Sequence, residues 1–153
     1  MAKSYKIFFI AFISVFVIDQ IIKAVFLNGF DANSSCISLN LTFNKGVAFS
    51  MFAFLGENLK FVQVALIGGV FGYIFWQKEL LKEYALALGL ILGGGVSNLL
   101  DRFMHGGVVD YVYWHCGFDF AIFNFADVMI DLGVAIILWL SFKKEKWSWN
   151  FYC

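Results

Sequence analysis

The sequence predicts a mainly α-helical integral membrane protein: four transmembrane helices with a small outer-face β-sheet and an interfacial segment, forming one domain over residues 1–153. Three observations predict it. Of the 153 residues 61% are hydrophobic and 14% charged, with 20 Phe and no Pro, and mean hydropathy is +0.80, a balance foreign to a water-soluble globule. The apolar residues gather into four runs, each close to the roughly 20 residues that cross a bilayer. Finally, the lysines collect at alternate ends of those runs, which gives the chain a sidedness.

The first run, residues 7–27, follows Lys3 and Lys6. Its basic-then-apolar order resembles a secretory signal, but it continues through Asp19 and Lys23 without a small-residue cleavage site and reads as a retained helix. In the connection that follows, residues 28–58, Ile37, Leu39, Leu41 and Phe43 alternate with Ser38, Asn40, Thr42 and Asn44. That period of two predicts a half-buried strand with the apolar set on one face. Gly46 ends it, and residues 47–55 are apolar enough to lie in the membrane interface as a lid over a site.

The second and third runs, 59–76 and 80–100, are joined by a short connection carrying Lys78 and Lys82. Along the third run Ala85, Gly89, Gly93 and Ser97 recur every four residues, and Gly68 and Gly72 make a shorter stripe in the second. In lipid, apolar packing gains little, so small-residue faces let helix backbones approach and supply the contact. The connection over residues 103–125 has two short apolar runs, 108–114 and 118–123, split by Cys116 and Gly117, which extend the outer sheet. The fourth run, 126–142, is followed by Lys143, Lys144 and Lys146 and by Trp147-Ser148-Trp149-Asn150-Phe151-Tyr152, an interfacial anchor. The two long connections hold one lysine, Lys45. The positive-inside rule then places both termini in the cytoplasm and both long connections outside.

Formal net charge is zero, with 11 basic and 11 acidic residues, so nothing favours nucleic acid as a partner. Cys36 and Cys116 share the outer side, where a disulfide is compatible with the compartment. Two cysteines make no framework, however, and the sequence leaves their pairing open. His105 and His115 read as polar loop residues, and no metal-ligand spacing or cofactor motif is visible.

The remaining polar residues are few and placed where charge is costly. Asp19 and Lys23 are four apart with the acid first, the favourable order for a helical pair, and read as structural. Asn98, Asp101 and Arg102 share a helix face at the outer end of the third run, where Asp101 and Arg102 can neutralise each other as a structural pair. Asp110 lies in the outer connection and Asp127 opens the fourth run, where a helix start favours an anion and a capping role is a serious alternative. Asp131, one turn deeper on the same side, competes with Asp127 for pairing with Asp110. An acid near bilayer depth is a functional hypothesis by default, and two converging acids suggest a shared proton. Spacing alone does not choose between the partners.

Four blocks then gain a meaning together: Asn44-Lys45-Gly46-Val47-Ala48-Phe49, Gly93-Gly94-Gly95-Val96-Ser97-Asn98-Leu99-Leu100-Asp101-Arg102, Gly107-Val108-Val109-Asp110-Tyr111 and Phe123-Asn124-Phe125-Ala126-Asp127. Their order, with Asp19-Gln20 ahead of them, closely resembles the motif blocks of the bacterial lipoprotein signal peptidases (signal peptidase II). The resemblance covers essentially the whole chain. It departs at Ser97, where the family usually has Gly, and Asp131 lies outside its motifs.

The resemblance implies an aspartyl endopeptidase of the cytoplasmic (inner) membrane. Such an enzyme removes the signal peptide of a prolipoprotein N-terminal to a diacylglyceryl-modified cysteine, in contact with membrane lipid and open to inhibition by globomycin. It implies a catalytic pair of Asp110 and Asp127, resolving the tie against Asp131. Asn44, Asn98, Asp101, Arg102 and Asn124 would hold substrate backbone and orient the pair, and Asp19 would support it from the first helix. No cofactor or metal is implied. The alternatives are a small proton-coupled carrier or channel, because intramembrane acids also mark ion pathways, and a purely structural membrane subunit. Against the carrier, no repeat symmetry or pair of broken helices is visible.

Overall fold

The computed structural model describes residues 1–46 and 53–149. Its helices are α1 (Ala2–Leu27), α2 (Leu59–Trp76), α3 (Lys78–His105) and α4 (Phe125–Trp149), and its strands are β1 (Ala32–Asn33), β2 (Ile37–Asn44) and β3 (Val108–Trp114). All four helices are long and apolar enough to cross a membrane. α2 and α3 are joined through Gln77 alone. The other two connections lie at the opposite end, where the sheet forms. α3 outruns its predicted end at residue 100 and stops at Gly106, whose φ of +72° is the left-handed cap that glycine adopts without penalty.

α3 is the central helix: α1, α2 and α4 all pack on it. The small-residue stripe explains how two of them come so close. A Cβ at Gly89 would lie 2.6 Å from the Phe8 carbonyl oxygen, and one at Gly93 2.6 Å from that of Phe12, so α1 and α3 are in backbone contact. On another face a Cβ at Gly94 would lie 2.7 Å from the Ala126 carbonyl oxygen, and one at Gly133 of α4 would lie 2.8 Å from that of Ala87. Among the described residues the shorter stripe expected in the second span is not a packing face: added Cβ atoms at Gly68 and Gly72 meet nothing within 4 Å. Here the spacing mimics a contact motif on a face without a neighbour. Gly93→Ala should therefore cost about 1–3 kcal/mol through overpacking, whereas Gly72→Ala should stay within about 0.5 kcal/mol. Thermal unfolding of the two variants in detergent checks the contrast, and equal losses would contradict this packing.

The sheet is antiparallel in the order β1-β2-β3. β2 pairs with β3 so that Thr42 opposes Asp110 and Asn44 opposes Val108, with an irregularity between Leu39 and Thr42. The expected period of two holds beyond that irregularity. Beyond it Leu41 and Phe43 are exposed, while Thr42 and Asn44 are partly buried. A slip of one residue moves a strand's whole side-chain set to the other face. The second expected run of the outer connection, 118–123, is not a strand; it meets β3 at the bridge Val112–Phe123 and through the Phe120 N–H, which donates to the Trp114 carbonyl at 3.0 Å. Cys36 and Cys116 form a disulfide with Cα atoms 4.3 Å apart, tying the β1–β2 turn to the end of β3. His115 Nε2 sits 3.0 Å from Ser38 Oγ in the same region.

Of the expected interfacial run, residues 47–52 lie outside the described residues, and Ala53–Asn58 forms a short 3-10 helix. Of the expected aromatic anchor, residues 147–149 continue α4 and 150–152 lie outside the described residues.

Candidate active site

Local chain geometry places each carboxylate. β3 emerges from the α3 cap and runs antiparallel to β2, which sets Asp110 opposite Thr42 and diagonal to Asn44; Asp110 is buried. The Asn44 Nδ2 donates to one Asp110 oxygen at 3.0 Å, and the Asn124 Nδ2 donates to the other at 2.7 Å. Asn124 immediately precedes α4. Its side-chain oxygen accepts the Asp127 backbone N–H at 2.9 Å, while the Asp127 carboxylate accepts the Asn124 backbone N–H at 3.1 Å. This reciprocal arrangement is a capping box built from Asn and Asp, satisfying two of the donors that a helix start leaves unpaired. The capping role expected as an alternative for Asp127 is therefore real, but it occupies one oxygen. The other accepts the Asn98 Nδ2 at 2.8 Å. Asn98 in turn accepts from Asn124 at 3.1 Å. One asparagine, Asn124, thus touches both carboxylates.

Behind this layer lies a buried ionic cluster that the sequence reading saw only in part. Lys23 pairs with Asp19 at 2.6 Å, as its spacing predicts, but also with Asp101 of α3 at 2.6 Å, and it donates to the Asn98 side-chain oxygen at 2.7 Å. Both acids then reach for the backbone beside the central pair. Asp101 accepts the Val109 N–H at 3.1 Å, one residue before Asp110. Asp19 accepts the Ala126 N–H at 2.9 Å, one residue before Asp127, and the Ser97 hydroxyl at 2.7 Å. Gln20 donates to Asp101 at 2.9 Å.

The expected Asp101–Arg102 pair does not form. Successive helix residues do not face each other, and Arg102 instead donates to the Asn44 carbonyl at 3.4 Å and to the Gly46 carbonyl. Gly46 N–H donates to the Asn44 side-chain oxygen at 3.0 Å, so Asn44 is fixed from both sides. Tyr111 was missed by sequence reasoning. Its hydroxyl accepts the Phe125 N–H at 2.9 Å and its ring stacks on Phe26 at 4.2 Å. Its place directly after Asp110 was the available signal.

A cavity of about 500 Å³ opens beside the pair, lined by Asn44, Asn98, Arg102, Asp110 and Asp127 with apolar walls from Phe120, Ile122 and Ile130. Asp131 faces it too, but none of the hydrogen bonds that fix Asp110 and Asp127 involves it. Burial raises the Asp110 carboxyl to about pH 7, and the neighbouring Asp127 charge pushes the same way; hydrogen bonds from Asn44 and Asn124 and the Lys23 charge oppose them. Among the described residues no group of His, Cys, Asp and Glu is arranged to hold a metal ion.

Known proteins resemble this chain in sequence and fold. The sequence model of the signal peptidase (SPase) II family matches residues 11–143. A lipoprotein signal peptidase of Sulfurimonas denitrificans is 60% identical over 131 residues, covering 86% of this chain and 84% of its own length. One from Helicobacter pylori is 57% identical, covering 89% and 87%. One from Campylobacter jejuni is 54% identical, covering 95% and 96%. A solved bacterial membrane enzyme, 23% identical, superposes with a TM-score of 0.75 over 89% of this chain and 87% of that one, a likeness of fold. With the family model spanning most of its length and such relatives matched nearly end to end, this chain belongs to the signal peptidase II family.

Proposed function

We propose that the chain cleaves prolipoproteins N-terminal to a diacylglyceryl-modified cysteine, using Asp110 and Asp127 as an aspartic catalytic pair. The observation that carries this reading is the single asparagine, Asn124, bound to both carboxylates at the edge of the cavity. Two acids held this way in a poorly solvated site do not both ionise cheaply, so the pair retains one proton. The ionised member draws a proton from a water lying between the pair and the scissile carbonyl. The protonated member hydrogen-bonds the carbonyl oxygen and stabilises the developing oxyanion. Asn44, Asn98 and Asn124 orient the carboxylates, Arg102 holds the Asn44–Gly46 turn, and Asp19 and Asp101 fix the backbone beside each acid. Membership of a peptidase family sets aside the carrier or channel.

The lysines of the α2–α3 connection and the tail support cytoplasmic termini in the inner membrane, with the pair near the outer face. The Cys36–Cys116 disulfide at the sheet end of the molecule agrees with an oxidising outer compartment. The lipid of the substrate cysteine would remain in the bilayer and set the depth of the bond. Purified protein incubated with a lipidated precursor should release the signal peptide, globomycin should stop it, and an unlipidated precursor should be a poor substrate. An intact lipidated precursor would sink the proposal.

The same reading gives a pH dependence. With Asp110 raised to about 7, the shared proton is held below that pH and lost above it, so activity should fall on the alkaline side, approaching tenfold per unit. A kcat/KM profile measures this limb; a flat profile from pH 6 to 9 would contradict a shared proton.

A further inference from the structure

Among the described residues two buried side-chain atoms have no hydrogen-bond partner, Gln63 Oε1 and Arg102 Nε, and both residues line the cavity beside Asp110 and Asp127. One is an acceptor and the other a donor. Buried polar atoms are almost always paired, so an unpaired one needs an explanation. Two of opposite polarity around one cavity point to an occupant that supplies both partners. Gln63 stands on α2, a helix that is otherwise almost wholly apolar. It lies outside every motif block of the sequence and outside the network that fixes the aspartates. Its structural role is therefore unexplained by the free protein.

A peptide in extended form has the matching chemistry. Proteolysis requires the scissile bond to leave helical geometry, and this strips neighbouring N–H and C=O groups of their partners. Against the apolar walls of Phe120, Ile122 and Ile130 those groups would have no water to turn to. Gln63 lies four residues inside α2 from Leu59, about 6 Å from the helix start along its axis, and so one turn within the apolar span. The apolar run of a signal peptide occupies that depth.

Resting on the proposed function, we infer that Gln63 is a substrate-binding residue: its Oε1 accepts a backbone N–H of the substrate on the signal-peptide side of the scissile bond, while Arg102 Nε donates to a backbone carbonyl.

The test uses the full-length protein and synthetic lipidated precursors in which single backbone amides ahead of the scissile bond are replaced by esters, removing one N–H at a time. Gln63→Leu should lower kcat/KM about tenfold, chiefly through KM. It should also raise the unfolding temperature, because an unsatisfied buried acceptor is gone; a residue of purely structural value would lower both. Gln63→Glu keeps an acceptor oxygen and should recover most of the loss. One ester position should cost the wild type about tenfold and cost Gln63→Leu nothing further. Losses that multiply at every ester position would overturn the inference, as would wild-type rates in Gln63→Leu. If Gln63→Leu fails to accumulate, the wild-type ester scan decides alone: no sensitive position overturns the inference. Failure of the wild type to cleave any lipidated precursor would remove the functional reading itself, an outcome separate from these.

Discussion

Asp110→Asn and Asp127→Asn should each slow cleavage of a lipidated precursor by about 10³-fold or more, while both proteins still accumulate in the membrane. The two substitutions are nearly isosteric and remove the ability to ionise and share a proton. Neither should unfold the chain, though neither is free of local cost. Asp110 accepts from Asn44 and Asn124 at its two oxygens, so an amide there turns one acceptor into a donor facing a donor. Asp127 likewise accepts from Asn98 and from the Asn124 backbone. The penalty for one such mismatch, about 1–3 kcal/mol, is offset by relief from burying a charge. Asp131→Asn supplies the contrast: it lines the same cavity but accepts none of these bonds, and should keep substantial activity. A dead Asp131→Asn beside an active Asp127→Asn would show that the wrong acid has been paired with Asp110.

Much of the fold could be read in advance because its causes are local. Membrane-length apolar runs and the placement of lysines are properties of contiguous sequence, and the four helices lie where those runs are. The candidate site was legible for a different reason: Asn44, Asn98, Asp101, Arg102, Asn124 and Asp127 sit in motif blocks, and the structure brings them to one cavity or its immediate support. What the sequence withheld depends on contacts between distant residues. Asp19–Lys23 was readable as an i, i+4 pair, but nothing local says that Asp101 joins from another helix. Asp101 and Arg102, adjacent in sequence, look like partners and point elsewhere. Which face of β2 is covered was not legible, because the irregularity between Leu39 and Thr42 belongs to the pairing with β3. Gly68 and Gly72 have the spacing of a contact face without the contact. The Cys36–Cys116 disulfide required knowing that the ends of β2 and β3 meet.

Lys23→Met should be the most damaging single substitution outside the aspartate pair, and its effect should fall on stability and activity together. Lys23 is essentially inaccessible, as are Asp19 and Asp101, at 1%, 0% and 2% exposure. Methionine matches its volume, so packing would survive while two buried carboxylates lose their common counter-charge. Breaking a buried pair from one side costs about 3–5 kcal/mol, because a charge is left without compensation. Here both stranded acids have second tasks: Asp19 holds the Ala126 N–H and Asp101 the Val109 N–H. If they protonate or swing away, the backbone on either side of the Asp110–Asp127 pair is released, and the Asn98 oxygen loses its donor from Lys23. The variant should show a large fall in unfolding temperature and in membrane yield, with the surviving fraction cleaving slowly. The variant carrying Asp19→Asn, Lys23→Met and Asp101→Asn together has no stranded charge and should regain much of the stability, since neutral replacement of a buried ionic cluster is often tolerated. Its activity should stay low, because amide groups at positions 19 and 101 hold those two N–H groups with weaker, uncharged hydrogen bonds. Recovery of stability without activity would show that the cluster is kept for positioning; a Lys23→Met protein as stable and active as the parent would mean that the buried charges do neither.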